Sequence, residues 1–444
     1  MRTTPLASLL ALLLLSAPLA AQQGRYRLEG VSGVGSYAGR ALVVRRPGGE
    51  LRLTLRRDDG LRAHGALLPE ASAAPGTSAV AFQFQAALPA GGGVTGALEG
   101  DAAPPRTYRA RYLRLGGRLL GAWQVVEQGP AGEVIVSAGR ETLAPRQEAA
   151  GRLRLAVSVD WEGRELRADD LAAMQRLREA LPGVPLTHFL NAAYYTKPGA
   201  DAAAVTSKLR GAVLPGDEVG LHVHGWRSLF AAAGVAFRDR PTFWGGGQPA
   251  QAGGLDMGHE VEIGAYTVDE LRAVLRRSRA LLGTHGFPVG ASFRAGGWMA
   301  TPNVLEAIRH EGFTVDSSAT DGRWHDELAG YALRQRIPEV WAGVTEESQP
   351  YLIETPAGAV LEMPDTCALA DYVTAAEMVD HVRRAAARLT PGRDLFVHVG
   401  FHQETAARYA ARVGEALRTL AEDPDLPLVV ETLERSASAA ASRD

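Results

Sequence analysis

The sequence is poor in cysteine and lysine, and it carries little net charge. Cys367 is the only cysteine among 444 residues, so no intramolecular disulfide can form. We interpret Cys367 as a small buried hydrophobic residue. Positive charge is almost entirely arginine, because Lys197 and Lys208 are the only lysines. The net charge of −3 offers no basic surface of the kind that binds nucleic acid.

Long apolar runs are also scarce, and the main one covers residues 6–19. It follows a charged start at Arg2 and precedes the small residues Ala20 and Ala21, a pattern that predicts a signal peptide over residues 1–21. The run is shorter than the roughly 20 residues that a transmembrane helix needs. We therefore expect an exported protein, periplasmic or extracellular, with no stable membrane anchor.

Residues 22–143 show the alternation of half-buried β-strands. Apolar side chains occupy every second position over residues 51–55, 80–84 and 108–112, and glycine-rich turn signals lie between such segments. This pattern predicts an all-β sandwich or barrel of roughly eight strands. Exposed aromatic residues there could bind sugar, although core packing is the favoured interpretation. Residues 144–151 have the composition of a linker.

From residue 152 onward, apolar strand-like runs alternate with helical patterns, which indicates a parallel α/β arrangement. The predicted strands are Leu153–Val159, Leu186–Asn191, Glu218–Val223, Ala291–Arg294, Thr314–Asp316, Leu395–Val399 and Leu426–Val430. The predicted helices include Asp169–Leu181, Thr267–Leu282, Asn303–Glu311, Ala375–Leu389 and Glu404–Ala421. About seven strand–helix units favour a distorted (β/α)7 barrel over residues 152–444 rather than an open doubly wound sheet. A long stretch over 225–266 is typical of a segment that covers a site, and a second insertion runs from about 321 to 350.

Two pairs of ionisable residues follow predicted strands at a spacing of two. His222 and His224 end one strand, and Asp160 and Glu162 end another. Residues i and i+2 of a strand point to the same side. Two imidazoles there can bind a zinc-like metal, or they can satisfy local hydrogen bonds. Of the two carboxylates, one can bind the metal and the other can take a proton from water, or both can cap a helix.

Further ionisable residues lie at or near the ends of later strands. Arg294 ends the fourth strand, Asp316 the fifth, and His398 and His402 belong to the sixth. Each alone has an ordinary explanation, such as an ion pair for Arg294 or a turn for Asp316. Active sites of parallel β/α barrels lie at the C-terminal ends of the strands. The recurrence of these residues at that end therefore predicts one active site.

The order of these segments resembles the five motifs of the polysaccharide deacetylase superfamily, the NodB homology domain of carbohydrate esterase family 4-like proteins. The resemblance covers residues 152–435. It rests on Val-Asp-Trp-Glu, Leu-His-Val-His-Gly-Trp, Phe-Arg-Ala-Gly-Gly-Trp, Val-Asp-Ser-Ser and Val-His-Val-Gly-Phe-His. It implies a distorted barrel, a divalent metal such as Zn²⁺, and removal of N- or O-acetyl groups from sugars. Relatives hydrolyse small cyclic amides.

The resemblance also implies a role for each site residue. The metal ligands would be Glu162, His222 and His224. Asp160 would be the general base, held in position by Arg294. The last histidine would be the general acid, and we prefer His402 at the strand end to His398 within the strand, with Asp316 helping to orient it.

Three departures from the motifs mark a divergent branch. Trp161 separates two acidic residues that are usually adjacent aspartates, so Asp160 and Glu162 could exchange roles. The histidines of the second motif are two residues apart rather than four, and the third motif lacks its proline.

The sequence therefore predicts an exported, metal-dependent deacetylase whose partner is an acetylated cell-wall or exopolysaccharide glycan. One alternative is a hydrolase of another non-peptide C–N bond at the same site. A second is a catalytically silent glycan-binding protein, and a third is a structural envelope protein with incidental histidines. The sequence does not indicate an oligomeric state.

Overall fold

A computed structural model describes residues 24–45, 50–70, 81–88, 105–115, 118–129, 132–145, 151–247, 258, 261–328, 330–390, 392–423 and 426–441. The predicted signal peptide and most of the predicted linker lie outside these residues. The chain divides into two compact units. One comprises the chain before residue 150 together with Arg418–Pro427, and the other comprises the rest.

The first unit contains a closed antiparallel barrel of eight strands. The strands are β1 (Gly24–Ser32), β2 (Gly35–Arg45), β3 (Leu51–Arg57), β4 (Arg62–Pro69), β5 (Ala81–Leu88), β6 (Arg106–Leu115), β7 (Arg118–Gly129) and β8 (Gly132–Pro145). Each pairs with the next, and β8 pairs back to β1. A barrel of this size has an interior that side chains can fill.

Alternate side chains of these strands fill the barrel interior, as the period of two predicts. The buried aromatic residues are Tyr26, Tyr37, Phe82, Phe84, Tyr108, Tyr112 and Trp123. Core packing therefore accounts for these aromatic side chains, and they form no exposed sugar-binding face. Buried Glu141 accepts hydrogen bonds from the hydroxyls of Tyr108 at 2.8 Å, Tyr37 at 3.1 Å and Tyr112.

The second unit is built on a curled nine-stranded sheet. Its strands are β9 (Leu153–Asp160), β10 (Thr187–Leu190), β11 (Glu218–Val223), β12 (Ser292–Ala295), β13 (Val315–Asp316), β14 (Tyr351–Ile353), β15 (Val360–Glu362), β16 (Leu395–His402) and β17 (Leu428–Val430). The order is β14-β15-β13-β12-β11-β10-β9-β16, and β17 also pairs with β9. Only β14 runs antiparallel to its neighbour.

Helices connect these strands. They are α1 (Ala168–Ala180), α2 (Ala202–Ala212), α3 (Arg227–Ala232), α4 (Val268–Thr284), α5 (Pro302–His310), α6 (Ala332–Val340), α7 (Ala375–Ala387), α8 (Ala406–Ala421) and α9 (Leu433–Ala441). A capping box begins α4, because Thr267 and Glu270 bond reciprocally. Within the described part of the chain, no helix is both long and apolar enough to cross a membrane.

The predicted mixture of strands and helices is confirmed, whereas the exact (β/α)7 arrangement is not. The sheet contains two strands that the sequence pattern did not indicate, β14 and β15, and its path runs open from β14 to β16. A side chain bridges this seam: the Phe396 N–H donates to Gln349 Oε1 at 2.7 Å, and Gln349 Nε2 donates to the Phe396 carbonyl at 3.0 Å. The side-chain amide of Gln349 thus makes the two hydrogen bonds with Phe396 that a neighbouring strand would otherwise make.

Candidate metal centre and active site

Three side chains that could hold a metal ion meet at the C-terminal edge of the sheet. Glu162 Oε1 lies 3.2 Å from His222 Nε2, and Glu162 Oε2 lies 2.9 Å from His224 Nε2. The candidate ligand atoms all lie within 4.8 Å of one another. Two ligands of one tetrahedral zinc ion are separated by roughly 3.3 Å, which is comparable with both contacts.

Hydrogen bonds leave the histidine nitrogens available for a metal. His222 Nδ1 lies 2.8 Å from the Arg294 carbonyl oxygen, to which it can only donate, so Nε2 keeps its lone pair. Nδ1 of buried His224 makes no hydrogen bond with the described residues, and its Nε2 faces Glu162 Oε2 at 2.9 Å without hydrogen-bond geometry. An unsatisfied buried nitrogen beside a carboxylate is costly unless something else occupies it. The set of one carboxylate and two imidazoles therefore fits a divalent metal such as zinc.

The electrostatics of these groups reflect their mutual contact. Burial raises the pKa of Glu162, but His224 and His222 more than offset this effect and hold the pKa well below the usual range of a carboxyl. Burial lowers the pKa of His224. In His222 the neighbouring Glu162 outweighs burial and raises the pKa. Glu162 is thus ionised, as a metal ligand must be.

The loop that carries Glu162 is held from several sides. Trp226 Nε1 donates to the Glu162 carbonyl at 2.8 Å, and Glu404 accepts hydrogen bonds from the Glu162 N–H at 3.1 Å and the Arg164 N–H at 3.2 Å. Both lysines of the chain bind the same loop: Lys197 Nζ donates to the Arg164 carbonyl at 2.7 Å, and Lys208 Nζ donates to the Leu166 carbonyl at 2.9 Å. These contacts fix the backbone on either side of the candidate ligand.

Arg294 and Asp160 form a buried pair beside this centre. Arg294 Nη1 donates to both oxygens of Asp160, at 2.9 and 3.2 Å. The guanidinium also donates to the Ser158 hydroxyl at 2.9 Å and to the Ser317 carbonyl at 2.6 Å. With four or more partners the planar fork is locked, and it fixes the orientation of the Asp160 carboxylate.

His402 ends β16 directly opposite Asp160 of β9. Its Nδ1 donates to Asp371 Oδ2 at 3.0 Å, and its Nε2 lies 3.7 Å from Glu162 Oε1. Burial lowers the pKa of His402, but Asp371, assisted by Glu162 and Asp160, raises it to about 10. The contact with Asp371 thus favours the protonated imidazole, the form that can donate a proton.

The structure locates two other predicted residues away from the cavity. His398 is fully buried, with Nδ1 donating to Asp365 at 2.8 Å and Nε2 lying 2.8 Å from the Ser158 hydroxyl. Asp316 is also fully buried, and it accepts a hydrogen bond from the Ser318 hydroxyl at 2.8 Å. It pairs with the buried carboxyl of Glu362. Burial and the neighbouring Asp316 raise the pKa of Glu362 well above the usual range of a carboxyl. Asp316 thus does not orient His402; Asp371 occupies that position.

A cavity of about 190 Å³ connects the candidate ligands with the candidate acid and base. Its lining residues are Asp160, Glu162, Arg164, His222, His224, Phe243, Trp244, Arg294, Ala295, Gly297, Trp298, Leu333, Asp371, Tyr372, His402, Glu404 and Thr405. The first predicted insertion contributes Phe243 and Trp244 to the cavity, and the second contributes Leu333. Cys367 is buried and takes no part.

Sequence reasoning missed Asp371 and the role of Glu404. Asp371 follows no predicted strand, and it lies 31 residues before its partner His402. The position of Glu404, two residues after His402 at the end of β16, was a weak indication that it belongs to the site. Burial raises the pKa of Glu404 to about 6, and its carboxyl accepts a hydrogen bond from the hydroxyl of Tyr194.

The chain is similar to several solved structures at low identity. A protein of Mycobacterium smegmatis described as a polysaccharide deacetylase is 15% identical, with a TM-score of 0.40 and coverage of 67% of this chain and 95% of the other. A family 4 carbohydrate esterase of Streptomyces lividans, in complex with acetate, is 10% identical, with a TM-score of 0.32 and coverage of 63% and 92%. An allantoinase is 12% identical, with a TM-score of 0.37 and coverage of 66% and 91%.

No protein-family model matches the chain, and no curated protein matches it. The solved structures found thus include proteins described as a polysaccharide deacetylase and a carbohydrate esterase, each at 15% identity or less.

Proposed function

We propose that this protein is an exported metal-dependent hydrolase that removes acetyl groups from a glycan. The observation that carries the proposal is the cluster of Glu162, His222 and His224, which opens into the same cavity as Asp160 and His402. In this proposal, residues 1–21 are a cleaved signal peptide, residues 22–143 and 152–444 are separate domains, and the metal is zinc.

Each residue has a distinct part in the proposed reaction. A bound divalent metal would supply a Lewis acid for the acyl oxygen and would lower the pKa of water. Asp160, held by Arg294, takes the proton of the attacking water. His402, oriented by Asp371, gives a proton to the leaving oxygen or nitrogen. The distances support Glu162 as ligand and Asp160 as base, because the histidines contact Glu162 whereas Arg294 pairs with Asp160.

Metal content and acetate release test the proposal together. We expect about one metal ion per chain by elemental mass spectrometry, since one ligand set holds one ion. The double variant His222→Ala, His224→Ala should lose both the metal and the release of acetate from an acetate ester. The variant His310→Ala, which removes an exposed histidine that does not line the cavity, keeps both.

Absence of metal from the wild-type protein after reloading with zinc, cobalt and nickel would refute the hydrolase assignment. A different result would be that the protein binds stoichiometric metal and hydrolyses a cyclic amide without releasing acetate from any sugar. That result would identify it as a hydrolase of another C–N bond.

A further inference from the structure

Arg164 occupies an unusual position at the rim of the cavity. Its backbone is fixed on both sides, because its N–H donates to Glu404 and its carbonyl accepts from Lys197. Its side chain is exposed and lines the cavity, two residues after the candidate ligand Glu162. The loop therefore presents this guanidinium to whatever enters the cavity.

The other charged side chains of the cavity wall already have partners. Asp160 pairs with Arg294, and Asp371 pairs with His402. Glu162 contacts both histidines, and Glu404 accepts from Tyr194 and two backbone N–H groups. The guanidinium of Arg164, in contrast, makes no ion pair or hydrogen bond with any described residue. One positive charge at the cavity thus remains without a counterion in the described chain.

An apolar wall of two aromatic residues and one leucine borders the same cavity. Phe243 and Trp244 come from the first insertion and Leu333 from the second, and the Leu333 N–H donates to the Phe243 carbonyl at 2.7 Å. The ring of Trp244 packs edge-on against Tyr331 with centroids 4.9 Å apart. Such a wall suits the apolar face of a ring-shaped ligand, while a few polar groups fix its orientation.

We propose that Arg164 selects an acidic substrate, namely an acylated sugar that carries a carboxylate on or beside the reacting unit. This inference rests on the proposed function for the acyl group, but it adds the charge of the substrate. The guanidinium fork binds a carboxylate through two parallel hydrogen bonds, and a neutral sugar leaves it without that partner. Arg164 is thus a specificity residue, whereas the acid and base lie deeper in the cavity.

A matched pair of ligands tests the inference by calorimetry on the metal-loaded protein. Trigalacturonate and its trimethyl ester have the same rings, but only the first carries carboxylates. We expect trigalacturonate to bind about tenfold more tightly, the gain from one charge-assisted pair. Added salt should reduce this preference, because a pair at the rim is screened.

Three variants provide the comparison. Arg164→Gln should bring the two affinities close to equality, and Arg164→Lys should restore part of the preference. Arg176→Gln, which removes an exposed arginine of α1 outside the cavity, should keep the wild-type preference. Equal affinities in the wild type, an unchanged preference in Arg164→Gln, or binding of neither ligand would overturn the inference. A preference for the acid with no acetate release from any ester would leave the inference standing and refute the proposed function.

Discussion

Gly296 shows how a missing side chain shapes the candidate metal centre. A Cβ atom at this position would lie 2.6 Å from Cγ and Nδ1 of His224, closer than real contacts allow. The neighbouring atoms belong to an imidazole that is itself buried, so the ring has little room to move. The absence of a Cβ therefore permits the orientation of His224.

Replacement of Gly296 by alanine should displace the His224 ring and weaken metal binding. We expect a loss of about 10- to 100-fold in affinity, as for other changes that disturb the support of a ligand. Competition with a chelating indicator dye measures the affinity directly.

Gly283→Ala in α4 is the matched control, because nothing lies within 4 Å of its added methyl group. That change should leave metal affinity intact and stabilise the helix by roughly 0.5–1 kcal/mol. Equal metal affinity of Gly296→Ala and the wild type would contradict the role assigned to the glycine.

At the scale of elements, the seam of the curled sheet depends on one side chain. Gln349 satisfies both the N–H and the carbonyl of Phe396 in β16. Leucine has a similar size but no hydrogen-bonding group, so it would leave two backbone groups without partners. Each unsatisfied buried group costs about 1–3 kcal/mol.

Gln349→Leu should therefore lower the free energy of unfolding by roughly 2–4 kcal/mol and open the seam locally. In this variant, hydrogen exchange should be faster at the Phe396 amide than at amides in the centre of β9. Unchanged protection of that amide in the variant would show that the side chain does not close the seam.

The sequence predicts the elements whose pattern is local and misses those that depend on distant contacts. The predicted strand Glu218–Val223 matches β11, and the spacing of His222 and His224 brings both to Glu162. By contrast, β15 has three residues, too few to establish a period. Asp371 was likewise invisible, because only the folded chain brings it to His402. Asp316 has the sequence context of a site residue, but its partner Glu362 lies on the undetected strand.

At the scale of the whole molecule, buried Glu218 links several elements of the second unit. It accepts hydrogen bonds from the Thr187 hydroxyl of β10 at 3.2 Å, the Ser292 hydroxyl of β12 at 2.5 Å and the Glu434 N–H of α9 at 2.8 Å. Burial raises the pKa of Glu218 from 4.5 to about 7, despite these hydrogen bonds. Folding thus favours the protonated carboxyl.

This shift predicts that Glu218 stabilises the fold less as the pH rises. Below about pH 4.5 the carboxyl is protonated in both folded and unfolded chains, and between 4.5 and 7 only the folded chain keeps the proton. The wild type should therefore lose roughly 3 kcal/mol across that window relative to Glu218→Gln, which keeps an uncharged group of similar shape.

Urea unfolding at a series of pH values, followed by tryptophan fluorescence, measures the difference. Six of the seven tryptophans lie in the second unit, since Trp123 alone belongs to the barrel. If the free energy of unfolding of the wild type and of Glu218→Gln varied with pH in parallel, the raised pKa of Glu218 would be contradicted.

The two lysines that hold the loop after β9 have a practical consequence for anyone who handles the protein. Apart from the amino terminus, they carry the only primary amines of the chain, and both donate to carbonyls of one loop. Amine-directed dyes, cross-linkers and biosensor surfaces will therefore attach either at the amino terminus or beside the candidate active site. Conjugation at an engineered cysteine far from that loop would keep the site free.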